Sequence, residues 1–145
     1  MKSQLFIIVC VFWLSIPSVT ALSQYFGYQG LTSLPDSVDP AVTSLSFYYN
    51  KFANLTDSMF SNFTSLDTLD MTYNPVTWIS PTAFEGCPIT VLKLSQSRLI
   101  TFPDLTSIGT SLERLELSST KITNISREDL QPLVALQYLD LKYTI

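Results

Sequence analysis

Histidine is absent from all 145 residues. That removes the commonest general base and a favoured metal ligand together. Only two cysteines occur, Cys10 and Cys87, so no intramolecular disulfide framework and no Cys-x-x-Cys pair exists. Four glycines are too few and too scattered for a phosphate-cradling loop, and no acidic calcium loop is present. Charged residues make up 14% of the chain and the net charge is −4. The eight lysines and arginines stand singly, without the basic patch of a nucleic-acid binder. These absences lead us to expect no enzymatic activity, no cofactor, no metal and no nucleic-acid partner.

Hydrophobic residues account for 46% of the chain, enough for a core at this length. The N-terminus reads MKSQLFIIVCVFWLSIPSVTALS. Lys2 gives a positive start and Leu5 to Ile16 is a 12-residue apolar run broken only by Ser15. Pro17 ends the run, and small residues follow up to Ala21. A spanning helix needs about 20 apolar residues, so residues 1–21 read as a secretory signal peptide cleaved after Ala21. No later stretch is long enough to span a membrane. Cys10 would leave with the leader. Three Asn-x-Ser/Thr sequons, at Asn54, Asn62 and Asn124, use three of the five asparagines and fit a secreted, glycosylated chain.

The rest of the chain repeats. VTSLSF, LDTLDM, ITVLKL, LERLEL and LQYLDL begin at residues 42, 66, 89, 112 and 136, and each is apolar at positions one, four and six. Position nine holds Asn50, Asn74, Ser97, Thr120 and Thr144. Position eleven holds Phe52, Val76, Leu99 and Ile122, and position fourteen holds Leu55, Ile79, Phe102 and Ile125. Position nineteen holds Phe60, Phe84 and Leu130, with Ser107 as the exception. Positions four and six share one face of a strand. One strand cannot bury that face alone, but stacked copies form a parallel sheet with a continuous core. The return half lacks sustained helical periodicity, which predicts irregular or short 3₁₀ segments.

The pattern L-x-x-L-x-L-x-x-N-x-L resembles the leucine-rich repeat family in its extracellular form of 23 to 24 residues. The resemblance covers residues 31–145. It implies an α/β solenoid, a segment of a horseshoe, with a parallel sheet on the concave face and mostly irregular or 3₁₀ convex returns. The repeats divide as 42–65, 66–88, 89–111, 112–135 and a partial 136–145. In the family, the position-nine asparagine bonds neighbouring turns. Ser97, Thr120 and Thr144 are shorter, so the later repeats are expected to be less rigid. Residues 22–41 lead into the first repeat like the family's N-terminal cap but without its cysteines. Leu31 and Leu34 fall where positions eleven and fourteen of a preceding repeat would lie. Tyr25, Phe26 and Tyr28 are expected to cover the end by apolar burial.

The family usually binds proteins on the concave sheet. Position five there reads Ser46, Asp70, Lys93, Glu116, Asp140, which sets Lys93 between two acids. Position eight reads Tyr49, Tyr73, Gln96, Ser119, Tyr143, with Tyr48 beside the first and Tyr138 and Arg114 at position three of their repeats. Tyrosine suits an interface because it joins contact area to a polar tip. The competing reading is that these groups merely cover the sheet and form a solvated ladder. Tyr48, Tyr49, Tyr73, Lys93, Gln96, Arg114, Glu116, Tyr138 and Tyr143 are therefore the expected partner-binding residues. A carboxylate pair such as Glu116 and Asp140 would lie on an open face, where nothing raises a pKa for catalysis. Cys87 shares position twenty-two with Phe63 and Leu133, which predicts a buried, inert thiol. None of the three sequons falls on the strands, so glycans should leave the face open.

Residues 136–145 are the first ten positions of a fifth repeat without its return half. They read as part of a longer, truncated protein, or as a short form whose bare edge pairs with a partner or with itself. The expected role is a secreted or cell-surface recognition module resembling the ectodomains of Toll-like receptors and variable lymphocyte receptors, in innate immunity or cell adhesion. A soluble matrix or structural protein, or a truncated copy without a partner, is the alternative.

Overall fold

The computed structural model describes residues 22–144. The signal-peptide expectation falls on residues outside that range. Among the described residues there are eight short strands: β1 Ser23–Tyr25, β2 Ser44–Ser46, β3 Asn54–Leu55, β4 Thr68–Asp70, β5 Trp78–Ile79, β6 Val91–Lys93, β7 Arg114–Glu116 and β8 Tyr138–Asp140. Six of them form one parallel sheet in the order β1-β2-β4-β6-β7-β8. The register follows the repeat: Leu45 lies beside Leu69, then Leu92, Leu115 and Leu139. The returns are irregular apart from a 3₁₀ turn at Thr106–Ile108 and a four-residue helix, α1, at Arg127–Leu130. No helix of the described residues is long and apolar enough to cross a membrane.

The core is the sum of the repeat's apolar columns. Position four (Leu45, Leu69, Leu92, Leu115) and position six (Phe47, Met71, Leu94, Leu117) are fully buried behind the sheet. Phe52, Val76, Leu99 and Ile122 meet them from the return half, with Phe60 stacked on Phe84 at 5.5 Å. Each such side chain contributes about 1.5–3 kcal/mol when fully buried. Where position nineteen is Ser107, the next residue, Ile108, turns inward and fills the layer. Leu130 departs from the expectation. It is 38% exposed.

The N-terminal flank differs from expectation in two ways. It contributes a sixth strand, with Ser23, Gln24 and Tyr25 paired to Ser44, Leu45 and Ser46. Tyr25 and Tyr28 do not cover the end by burial; they are 61% and 64% exposed. Strand β1 itself covers it, and Phe26 alone goes inward to stack on Phe47 at 5.5 Å. Gln24 holds the position where other repeats place leucine. Its side-chain oxygen accepts from the Asp39 N–H at 2.8 Å, tying the strand to its own return.

The position-nine asparagines link the turns. Asn50 accepts from the N–H groups of Gln29 and Leu31 and donates to the carbonyls of Phe26 and Phe47. Asn74 accepts from Phe52 and donates to Phe47 and Met71. The ladder stops there: among the described residues the buried hydroxyls of Ser97 and Thr120 have no partner. Thr144 bonds only within its own turn, to Leu141 at 2.7 Å.

A second sheet of two strands, β3 and β5, lies on the return half, with Asn54 beside Trp78 and Leu55 beside Ile79. Ser80 N–H closes it by donating to the Leu55 carbonyl at 2.8 Å. Twenty-three residues later, Pro103 occupies the corresponding place. It has no N–H to donate, so the ladder does not extend to a third strand.

Candidate functional site

At the C-terminal ends of the main strands the chain must turn sharply before the buried position nine. Tyr28, Tyr49, Tyr73, Gln96, Ser119 and Tyr143 all make this turn with φ between 56° and 62°. Their N–H groups lock it. Tyr28 donates to the carbonyl of Tyr48, Tyr49 to that of Thr72, Tyr73 to that of Ser95 and Gln96 to that of Ser118, each at 2.9–3.0 Å. A left-handed conformation costs a residue with a Cβ roughly 1–2 kcal/mol. The hydrogen bonds hold it, and the side chain is turned outward. Position eight is thus an exposed column whose residue type is free of packing demands.

Four tyrosines meet in that column and beside it. Tyr28 stacks on Tyr49 at 5.0 Å and meets Tyr48 edge-on at 5.4 Å. Tyr73 lies 5.4 Å from Tyr48 and 5.7 Å from Tyr49. Aromatic pairs at these distances hold one another in place. Hydrogen bonding to Tyr28, then burial, raises the Tyr48 phenol above the ordinary tyrosine range. Beside the rings, Tyr28, Gly30, Tyr49, Asn50 and Lys51 line a shallow, mostly apolar pocket of about 280 Å³.

Of the residues expected from sequence, the structure therefore joins Tyr48, Tyr49 and Tyr73. It adds Tyr28, a residue of the N-terminal flank. Counting back one shortened repeat of 21 residues from Tyr49 would have found it. Arg114, Glu116 and Tyr138 form a separate group: the Arg114 Nε lies 2.7 Å from Glu116 Oε1, and its guanidinium stacks 3.9 Å over the Tyr138 ring. The bond to Glu116 raises the Arg114 pKa. Lys93 neighbours Asp70 and Glu116 in register but forms no ion pair with either. Gln96 follows Tyr73 along the column without joining the rings. Tyr143 stands alone, 85% exposed.

The sequon asparagines Asn54, Asn62 and Asn124 are all exposed and lie on the return half. Asn54 does lie on a strand, β3, though on the small sheet and not the main one. Cys87 is buried as expected. Its thiol donates to the Phe60 carbonyl and burial pushes its pKa up to about 11.

Comparison with known proteins gives concordant matches. The family model for the leucine rich repeat matches residues 40–99 and 87–144. Biglycan of Xenopus laevis is 26% identical over 110 residues, covering 74% of this chain and 29% of biglycan. The leucine-rich repeat-containing G-protein coupled receptor 4 of Xenopus tropicalis is 30% identical over 120 residues, covering 80% of this chain and 12% of the receptor. A crystal structure of a TLR13-ssRNA13 complex superposes with a TM-score of 0.67 at 30% identity, over 71% of this chain and 15% of that one. The chain thus spans under a third of each of these proteins. In-register parallel strands, columns of buried leucine and an asparagine turn ladder are what this repeat builds, and the chain belongs to the leucine-rich repeat family.

Proposed function

We propose that the chain is an extracellular, non-enzymatic recognition segment that binds a protein partner on the open, concave face of its main sheet. The observation that carries this reading is the cluster of exposed Tyr28, Tyr49 and Tyr73 around half-buried Tyr48, whose rings brace one another. A pre-ordered aromatic patch gains contact area on binding at little entropic cost. Lys93, Gln96, Arg114, Glu116, Tyr138 and Tyr143 extend the same face as a more polar rim. The family is generally one of binding modules, and no catalytic constellation accompanies the patch. The leader-like residues 1–21 and the sequons at Asn54, Asn62 and Asn124 support export and glycosylation. Glycans on the return half leave the tyrosines uncovered. The solved relative is a complex with ssRNA13, but the net charge of −4 here favours a protein over a polyanion.

The test is a screen of the purified chain against an array of secreted and ectodomain proteins, repeated with two variants. A partner that uses this face loses binding with Tyr49→Ser/Tyr73→Ser and keeps it with Ile100→Ser on the return half. Equal binding by both variants would place the interface elsewhere.

A further inference from the structure

Outside the tyrosine face, the largest exposed aromatic is Trp78, 50% exposed on β5 of the small sheet. Nothing in the repeat pattern requires it: position thirteen in the neighbouring repeats is Asn54, Thr101 and Asn124. Its partner in register is Asn54, the asparagine of a sequon. Adjacent strands lie about 4.8 Å apart. Both residues precede a buried one, Leu55 and Ile79, and so share the outward face of this sheet. On the strand beside it, the Thr77 hydroxyl lies 3.3 Å from Asn54 Oδ1 and 3.2 Å from the Ala53 carbonyl. That bond holds the Asn54 carboxamide oxygen, and the amide nitrogen has no partner among the described residues.

We infer that an N-linked glycan on Asn54 folds back onto Trp78, its first N-acetylglucosamine stacking on the indole ring. The inference rests on the extracellular reading above, because the glycan is added only in the secretory pathway. In that step the Asn54 amide nitrogen bonds to the anomeric carbon of a lipid-pyrophosphate-linked oligosaccharide. The carbon–oxygen bond to phosphate breaks, the lipid pyrophosphate leaves, and the amide gives up a proton. A pyranose presents a face of C–H groups, which matches the electron-rich face of an indole. The sugar thus covers an apolar surface that the fold leaves bare. Asn62 and Asn124 have no aromatic register partner, so only one sequon makes this contact.

Trp13 and Trp78 are the only tryptophans, and Trp13 lies in the leader. Once the leader is removed, tryptophan fluorescence reports on Trp78 alone. The chain is expressed with its leader in mammalian cells, and site occupancy is mapped by mass spectrometry. Iodide quenching is then compared between wild type and Asn54→Gln, with Asn62→Gln and Asn124→Gln as controls. The expected result is an occupied Asn54 and roughly twofold weaker quenching in wild type than in Asn54→Gln, as the sugar covers one ring face. The two control variants quench like wild type. A parallel melting series expects the glycan to raise the Tm of wild type but not of Trp78→Ala. An occupied Asn54 with quenching unchanged in Asn54→Gln overturns the stacking and leaves the extracellular reading standing. An unoccupied Asn54 beside an occupied Asn62 or Asn124 likewise overturns the stacking alone. No glycan at any sequon overturns both.

Discussion

Asn74 and Thr120 hold the same place in their repeats, and the difference between them is chemical. Asn74 is fully buried and serves three backbone groups of two turns. A buried group left without its partner costs about 1–3 kcal/mol. Asn74→Ala is therefore expected to destabilise by about 3 kcal/mol or more, read as a lower urea midpoint at unchanged slope. Thr120→Val removes a hydroxyl that has no partner, and the same measurement should show no loss or a gain of up to about 1 kcal/mol. Cys87 yields a pH prediction. Its thiol is raised from 9.0 to about 11 by burial. The unfolded chain then loses its proton first as pH rises. Stability from this group is complete below pH 9 and is lost as pH passes 11. The decline in Tm across that range should be shallower in Cys87→Ala. The role of Asn74 was legible through the family resemblance, which implies that a position-nine asparagine bonds neighbouring turns. The left-handed turn at Tyr49 and Tyr73 was not. A tyrosine gives no sign of positive φ, which here is held by its N–H donating to a carbonyl of the next repeat.

At the scale of elements, two repeats abut closely where Gly109 follows the 3₁₀ turn. A Cβ there would sit 2.3 Å from the Pro132 carbonyl oxygen, a backbone atom that cannot step aside cheaply. Gly109→Ala should destabilise by about 1–3 kcal/mol, as overpacking does, although φ is an ordinary −61°. A thermal melt of the variant checks this. Helix α1 is set by a capping box, with Ser126 accepting from Asp129 N–H and Asp129 accepting from Ser126 N–H. Ser126→Ala should cost about 1 kcal/mol, measured on bacterially made protein because the change also removes the Asn124 sequon. Five of the six main strands were legible from leucine spacing. Strand β1 was not, because Gln24 stands where leucine marks the others and its repeat is two to three residues shorter. The small sheet was also missed, since two-residue strands carry no periodicity.

For the molecule as a whole, β1 and β8 are the outer strands of the main sheet among the described residues. Against β8, Leu136, Leu139 and Leu141 are only partly buried. An edge with apolar surface behind it invites pairing. We propose that a protein of residues 22–145 self-associates through 136–145. Sedimentation velocity should show an s-value rising with concentration, and an s-value that stays constant would speak against it. The interruption of the asparagine ladder after Asn74 has a further meaning when the chain is considered in time. Synthesis delivers the N-terminal turns first. Those are the turns with complete internal bonding and with the Phe26–Phe47–Phe52 stack. They can close while the remainder is still being made, and each later turn then has a finished surface to settle on. The turns less able to hold themselves emerge after them, when that template is already in place.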